Sequence, residues 1–112
     1  MAAVAFIAFL CAAAIGLFMA WNHSQGRTSL AWWGALHGVF VLVGFLTLIG
    51  TVFLTSSGGS GWYLLVLFLA VASGGAYLLA RQMQEKAWPG LVLIAHGGAA
   101  LASIVALGIW MF

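Results

Sequence analysis

The chain has 112 residues, of which 66% are hydrophobic and only 4% are charged. Because about a quarter of the residues of a soluble domain are charged, this composition excludes a water-exposed globular protein and indicates a single membrane domain. Three basic residues against one acidic residue give a net charge of +2, too little for a nucleic-acid-binding surface. The lone cysteine, Cys11, excludes a disulfide within the chain.

Four apolar runs predict transmembrane helices over 2–20, 30–54, 62–80 and 90–112. Each is about twenty residues long, which is enough to cross a hydrocarbon core of about 30 Å. The runs must be helical because lipid cannot satisfy free backbone N–H and C=O groups. Short connections at 22–28, 55–61 and 81–88 predict an all-α integral membrane protein, a four-transmembrane-helix up-down-up-down bundle.

Local signals place the helix starts. The first run begins at Met1 without a basic segment or a clear small-residue cleavage site, so we expect a retained helix rather than a signal peptide. Thr28 or Ser29 is expected to cap the second helix, and Pro89 fits the first turn of the fourth.

The basic residues predict an orientation. Arg27, Arg81 and Lys86 all lie in the first and third connections, whereas the 55–61 loop and both termini carry none. Basic connections stay in the cytoplasm, so both termini are expected on the outer, periplasmic side of a bacterial cytoplasmic membrane.

The two halves of the chain resemble each other. A shift of 59 positions aligns repeat units of about 1–54 and 60–112 without a gap. Identical pairs include Phe9/Phe68, Ala13/Ala72, Gly16/Gly75, Gln25/Gln84, His37/His96, Gly38/Gly97 and Leu48/Leu107. Because each unit holds two helices, the repeat is parallel, and equivalent residues lie at equal depth.

His37 and His96 are the candidate functional residues. Each lies about two turns inside an apolar run that otherwise contains no ionisable group, which makes it a functional hypothesis by default. In a bundle with two-fold symmetry, the second and fourth helices can face each other across the core. Two imidazoles at one depth would then suit the axial positions of one haem b iron.

Small residues near the histidines favour a flat ligand between the helices. We expect Gly38, Gly44, Gly97 and Ser103 to form the cofactor-binding faces with His37 and His96. In layout the chain resembles four-helix membrane cytochromes b, although no sequence motif carries the likeness. The resemblance implies a small electron-transfer subunit that passes electrons between a quinone and a partner. Arg27 and Lys86 would then be the nearest cations to the haem propionates, besides being orientation charges.

Other interpretations stay open at this point. The small residues also suit tight helix packing in a cofactor-free accessory subunit of a larger membrane complex, or in a homodimer. Each histidine could instead ligate a chlorophyll-type pigment, contact a quinone headgroup or bind another metal. His23 is expected to be a solvated residue of the first connection.

Missing features narrow the reaction classes. No Asp or Glu lies inside an apolar run, which disfavours a carboxylate proton relay or cation pathway. The glycine-rich 55–61 loop lacks the lysine of a phosphate-binding loop, and no nucleophile is placed beside a base. The sequence therefore favours an electron-transfer or accessory subunit without a catalytic site of its own.

Overall fold

The computed structural model describes residues 1–55 and 60–112, and the regular structure in that part of the chain is helical. Its elements are α1 (Ala2–Ser24), α2 (Ala31–Leu54), α3 (Trp62–Met83) and α4 (Gly90–Met111). All four are long and apolar enough to cross a membrane, so the predicted four-helix membrane bundle is confirmed. The predicted 55–61 loop includes residues 56–59, which lie outside the described residues.

Two helices run further than the sequence predicts. α1 continues past residue 20 to Ser24, and α3 continues past residue 80 to Met83. The first residues of both polar connections are therefore helical. Polarity marks where a chain leaves lipid, but a helix ends only where its last carbonyls find other partners.

Both of these ends close in the same way. Gly26 (φ 69°) and Glu85 (φ 56°) adopt the left-handed conformation just after α1 and α3. The N–H of the residue that follows each donates to a carbonyl five residues earlier at 2.9 Å, from Arg27 to Asn22 and from Lys86 to Arg81. This closure satisfies the terminal carbonyls and turns the chain back towards the next helix. The two turns are related by the 59-residue shift.

The expected caps at the helix starts are wrong. Leu30, not Thr28 or Ser29, precedes α2, and it caps the helix with no side-chain hydrogen bond. Pro89 precedes α4 rather than lying inside its first turn. Leu30 and Pro89 are repeat equivalents with similar extended backbones (φ −62° and −63°), so the geometry of the turn rather than a capping side chain sets where each helix starts.

The helices form a four-cornered bundle in which α2 lies diagonally opposite α4. Packing contacts join α1 to α2, α3 to α4, α1 to α4 and, most sparsely, α2 to α3. Phe9 of α1 and Phe68 of α3 meet across the other diagonal, with stacked rings whose centroids are 3.9 Å apart. Repeat-equivalent residues can touch each other only near the axis that relates the two halves. The stack therefore marks that axis, which runs along the bundle.

Packing is uneven along the axis. We call the end that carries Arg27, Arg81 and Lys86 the basic end. Most of the buried side chains, including Phe9, Leu48, Val52, Leu64, Phe68, Ile104 and Leu107, form a core in the opposite half. The half nearer the basic end is less tightly filled, and it contains both intramembrane histidines.

Candidate functional site

His37 is held by a hydrogen bond to the neighbouring helix. The residue lies about 9 Å along α2 from its start. Its Nδ1 lies 2.8 Å from the backbone carbonyl oxygen of Ala12 in α1. This hydrogen bond fixes the ring inside the first hairpin. The position of the ring therefore depends on the backbone of α1 as well as on the rotamer of His37 itself.

His96 makes the equivalent bond in the second hairpin. Its Nδ1 lies 2.9 Å from the carbonyl oxygen of Val71 in α3. In both hairpins the carbonyl lies 25 positions before the histidine, so the two contacts are copies of each other. The repeat seen in the sequence therefore extends to the hydrogen bonds of the site.

These bonds determine which ring nitrogen carries the proton. A backbone carbonyl can only accept, so Nδ1–H donates in both rings and each neutral imidazole keeps an unprotonated Nε2. No buried side-chain nitrogen or oxygen of the described residues lacks a partner, so each Nε2 borders open space rather than a sealed apolar wall. The space that both rings line is a cavity between the helices.

The two imidazoles face each other across this cavity. Their ring centroids are 6.5 Å apart and their planes are inclined by 66°. The rings come from helices on opposite corners of the bundle, as the repeat predicted. The two rings, which are repeat equivalents, thus lie close to the axis.

Two glycines let the rings lie this close to α1 and α3. A Cβ atom added to Gly75 would lie 3.0 Å from Cε1 of His96, and one added to Gly16 would lie 3.2 Å from Cε1 of His37. Ordinary carbon–carbon contacts are about 3.5–4.0 Å, so any larger residue would press on the ring. Gly16 and Gly75 are repeat equivalents and were not among the predicted site residues.

The cavity around the rings, called the inner cavity here, has a volume of about 290 Å³. The Phe9–Phe68 stack bounds it on the side away from the basic end. Its walls on α1 and α3 include six small residues, namely Ala12, Ala13, Gly16, Ala72, Gly75 and Ala76. An apolar chamber with two nitrogen bases in its walls can hold a flat ligand and orient it.

A second, more polar cavity of about 520 Å³ lies at the basic end, and we call it the outer cavity. Its walls include Arg27, Lys86 and Glu85. Met19, Gln82 and Trp88 line both cavities, so the two are adjacent. His23 also lines the outer cavity, where its ring centroid lies 5.2 Å from that of Trp88.

The predicted binding residues fall into two groups. His37, His96 and Gly38 line the inner cavity. Gly44, Gly97 and Ser103 lie elsewhere in the described bundle.

Geometry explains the second group. Seven residues are two helical turns, or about 10 Å, so Gly44 lies below the histidines, where an added Cβ would be 2.9 Å from the Phe9 ring. Ser103 is equally deep, and its hydroxyl donates to the carbonyl of Ala99 at 2.7 Å. An added Cβ at Gly97 would meet nothing within 4 Å.

Some of the contacts of the histidines that were not predicted could have been inferred from the sequence. Gly16/Gly75 was among the matched pairs, and its members lie on the helices that each histidine must pack against. The carbonyl partners at Ala12 and Val71 have no side-chain signal, because any residue supplies a carbonyl. Their positions depend on how each hairpin is aligned.

Few side chains at the site can serve as metal ligands. Within residues 1–55 and 60–112, no three His, Cys, Asp or Glu side chains are grouped closely enough to bind a metal ion by themselves. His37 and His96 therefore offer two nitrogen ligands and no more.

Comparisons with protein-family models, with curated proteins and with solved structures find no match to this chain.

Proposed function

We propose that this protein is a small membrane cytochrome subunit, in which His37 and His96 ligate one haem b between α2 and α4. The observation that carries the proposal is the pair of imidazoles, each anchored through Nδ1 to a carbonyl, which leaves Nε2 unprotonated, and both lining the same cavity.

The spacing of the rings supports ligation of a single metal ion. A metal–imidazole bond is about 2.0 Å and a ring nitrogen lies about 1.1 Å from the ring centroid, so two axial rings have centroids roughly 6.3 Å apart. The observed separation is 6.5 Å. An inclination of 66° is compatible, because ligation of one metal ion from opposite sides sets no particular angle between the two ring planes.

The hydrogen bonds to Ala12 and Val71 are of the kind that metal-ligating histidines make. A ligating imidazole usually donates its other N–H to a carbonyl or carboxylate, which fixes the tautomer and makes the ligating nitrogen more basic. Here the same support recurs on both ligands.

The number of ligands favours a macrocycle over a bare ion. Two protein nitrogens leave an octahedral metal four positions short, and a porphyrin supplies four equatorial nitrogens. A pigment on each histidine is disfavoured, because two macrocycles would have to share one inner cavity of about 290 Å³.

An iron with both axial positions filled by protein has no site for oxygen or a substrate, so electron transfer is the chemistry left to it. We propose lipid-soluble quinone and other membrane subunits as redox partners, because the exposed surface of the helices is largely apolar. A homodimer is a further arrangement that such a surface permits.

We also propose that the basic end faces the cytoplasm of a bacterium and that both termini face the periplasm. The support is the placement of Arg27, Arg81 and Lys86 at one end of the bundle. Labelling of single cysteines introduced near residue 84 and near residue 112 with a membrane-impermeant thiol reagent, in a Cys11→Ala background, tests this. Labelling of the cysteine near residue 84 in intact cells would show that the protein has the opposite orientation.

The visible spectrum tests the haem proposal. Protein purified in mild detergent, or reconstituted with haemin, should give the sharp reduced bands of a six-coordinate b-type haem. His37→Leu and His96→Leu should each abolish these bands, whereas His23→Leu should retain them because His23 lies in the outer cavity. His96→Met, which keeps a potential ligand, should retain a six-coordinate haem with a higher potential.

Folded protein with neither b-type bands nor extractable porphyrin, and with no response to added haemin, would remove the proposal. Circular dichroism establishes that each variant remains helical, so that loss of colour is not mistaken for loss of fold.

A second candidate function is a cofactor-free accessory subunit. The same bonds from His37 and His96 to carbonyls favour it, because each ties two helices of a hairpin together. Interhelical hydrogen bonds in membranes contribute about 0.6–2 kcal/mol each. Under this interpretation, the leucine variants would lose thermal stability or assembly with partner subunits, and no chromophore would be present to lose.

A further inference from the structure

The outer cavity is lined by one cation from each hairpin. Arg27 and Lys86 both line it, and they are repeat equivalents that follow the left-handed residues Gly26 and Glu85. Both side chains are exposed rather than engaged in the packed interior. Each hairpin therefore contributes one cation to the walls of the cavity that adjoins the inner cavity.

A haem bound between the rings would extend beyond the inner cavity. Pockets for drug-sized ligands are about 300–1,000 Å³, the inner cavity is about 290 Å³, and a haem is larger than most such ligands. The Phe9–Phe68 stack blocks extension in one direction. In the other direction the inner cavity adjoins the polar space, because Met19, Gln82 and Trp88 line both cavities.

We propose that the outer cavity is the subsite for the two propionate carboxylates of the haem, with Arg27 and Lys86 each facing one of them. This inference rests on the proposed function. A haem has its own approximate two-fold axis, which passes between the propionates. Placing them at the basic end makes that axis coincide with the axis of the protein, so one cation serves each carboxylate.

Glu85 provides a charge of opposite sign in the same cavity. A carboxylate near the propionates weakens their binding, whereas the two cations strengthen it. Removing the Glu85 charge should therefore strengthen propionate binding, and removing the two cations should weaken it. General damage to the fold would weaken binding in both cases.

The test compares haemin with its dimethyl ester, in which both carboxylates are neutral. Binding of each to the full-length protein in detergent is followed by titration of the six-coordinate absorption band. Wild-type protein should prefer haemin about tenfold, which is typical of two partly exposed charge pairs. Arg27→Gln with Lys86→Gln should remove this preference, and Glu85→Gln should increase it.

Arg81→Gln is the matched control. It removes the same charge from the same end of the bundle, but the Arg81 guanidinium donates to the carbonyl of Ala87 at 2.9 Å and does not line the outer cavity. The preference for haemin should survive this change.

Equal binding of haemin and ester by wild-type protein, with the six-coordinate band intact for both, would overturn the subsite while leaving axial ligation standing. A preference that persists in the double variant would also overturn it. If neither ligand gave the six-coordinate band, the proposed function itself would fail.

Discussion

The contact between Gly75 and His96 allows a graded prediction. Replacing Gly75 with alanine adds a single methyl group, 3.0 Å from Cε1 of the His96 ring. Because ordinary contacts begin at about 3.5 Å, the ring must move by about 0.5 Å. Replacing Gly16 creates a milder clash of 3.2 Å with His37, so a shift of about 0.3 Å is sufficient there.

The magnitude follows from overpacking. Forcing an extra methyl group into a filled space costs about 1–3 kcal/mol. The ring is tied to the carbonyl of Val71 at 2.9 Å, so a shift of this size strains the hydrogen bond, the proposed metal–nitrogen bond or both. If the cost falls on the liganded state, haem affinity drops about 5- to 150-fold for Gly75→Ala, and by less for Gly16→Ala.

Gly97→Ala is the matched control, because its added methyl group meets nothing within 4 Å. All three substitutions gain a similar helix propensity, about 0.5–1 kcal/mol, so differences between them isolate the contact with the ring. The assay is the rate at which each haem-loaded variant transfers its haem to an excess of a soluble haem acceptor, with thermal unfolding of the ligand-free forms measured alongside.

The expected order of haem loss is Gly75→Ala fastest, then Gly16→Ala, with Gly97→Ala indistinguishable from wild type. Equal rates for Gly75→Ala and Gly97→Ala would refute the reasoning that Gly16 and Gly75 make room for the histidine rings.

Three further predictions follow from the same geometry. Glu85→Gly should raise the free energy of unfolding by about 1 kcal/mol, because Glu85 adopts φ 56° where glycine is unstrained, while Glu85→Ala should give no gain in thermal unfolding. A double-mutant cycle of Phe9→Leu and Phe68→Leu should give a coupling of about 0.5–1.5 kcal/mol, since their rings stack at 3.9 Å; additive effects would contradict a direct contact. If the haem and protein axes coincide, proton NMR of the oxidised protein should show two sets of haem methyl signals, from haem bound either way round, with populations within about fivefold of each other. A single set would contradict the coincidence of the axes.

Much of the fold could be predicted because lipid restricts the options. Runs of about twenty apolar residues must be helices, and short connections make neighbouring helices antiparallel. The exact ends could not be predicted from polarity. α1 ends at Ser24 because Gly26 and the N–H of Arg27 close the helix there, and such a closure is a property of backbone geometry.

The histidine pair could be predicted because rare residues carry more information than common ones. His37 and His96 stand out in apolar runs, and their separation equals the repeat. What surrounds them was harder to predict. The pattern placed Gly44 and Ser103 on the histidine face, but it could not show that the Phe9 ring of the Phe9–Phe68 stack fills the space beside Gly44. The depth at which a cavity ends is decided by packing between helices.

The division of the bundle along its axis links its stability to the proposed ligand. The half around Leu48, Leu64 and Leu107 is packed, and these side chains are fully buried. The half around the histidines encloses a cavity, so its helices have fewer apolar contacts to hold them together. A ligand that fills this space stabilises the folded state, and the stabilisation grows with the logarithm of the ratio of ligand concentration to dissociation constant. It is about 2.7 kcal/mol when the concentration is a hundred times the dissociation constant. The arrangement therefore fits a bundle whose packed half maintains the fold while its open half gains its full stability when the site is filled. A cofactor-free subunit would have to obtain the same stabilisation from a partner, although the cavity lies between its own helices.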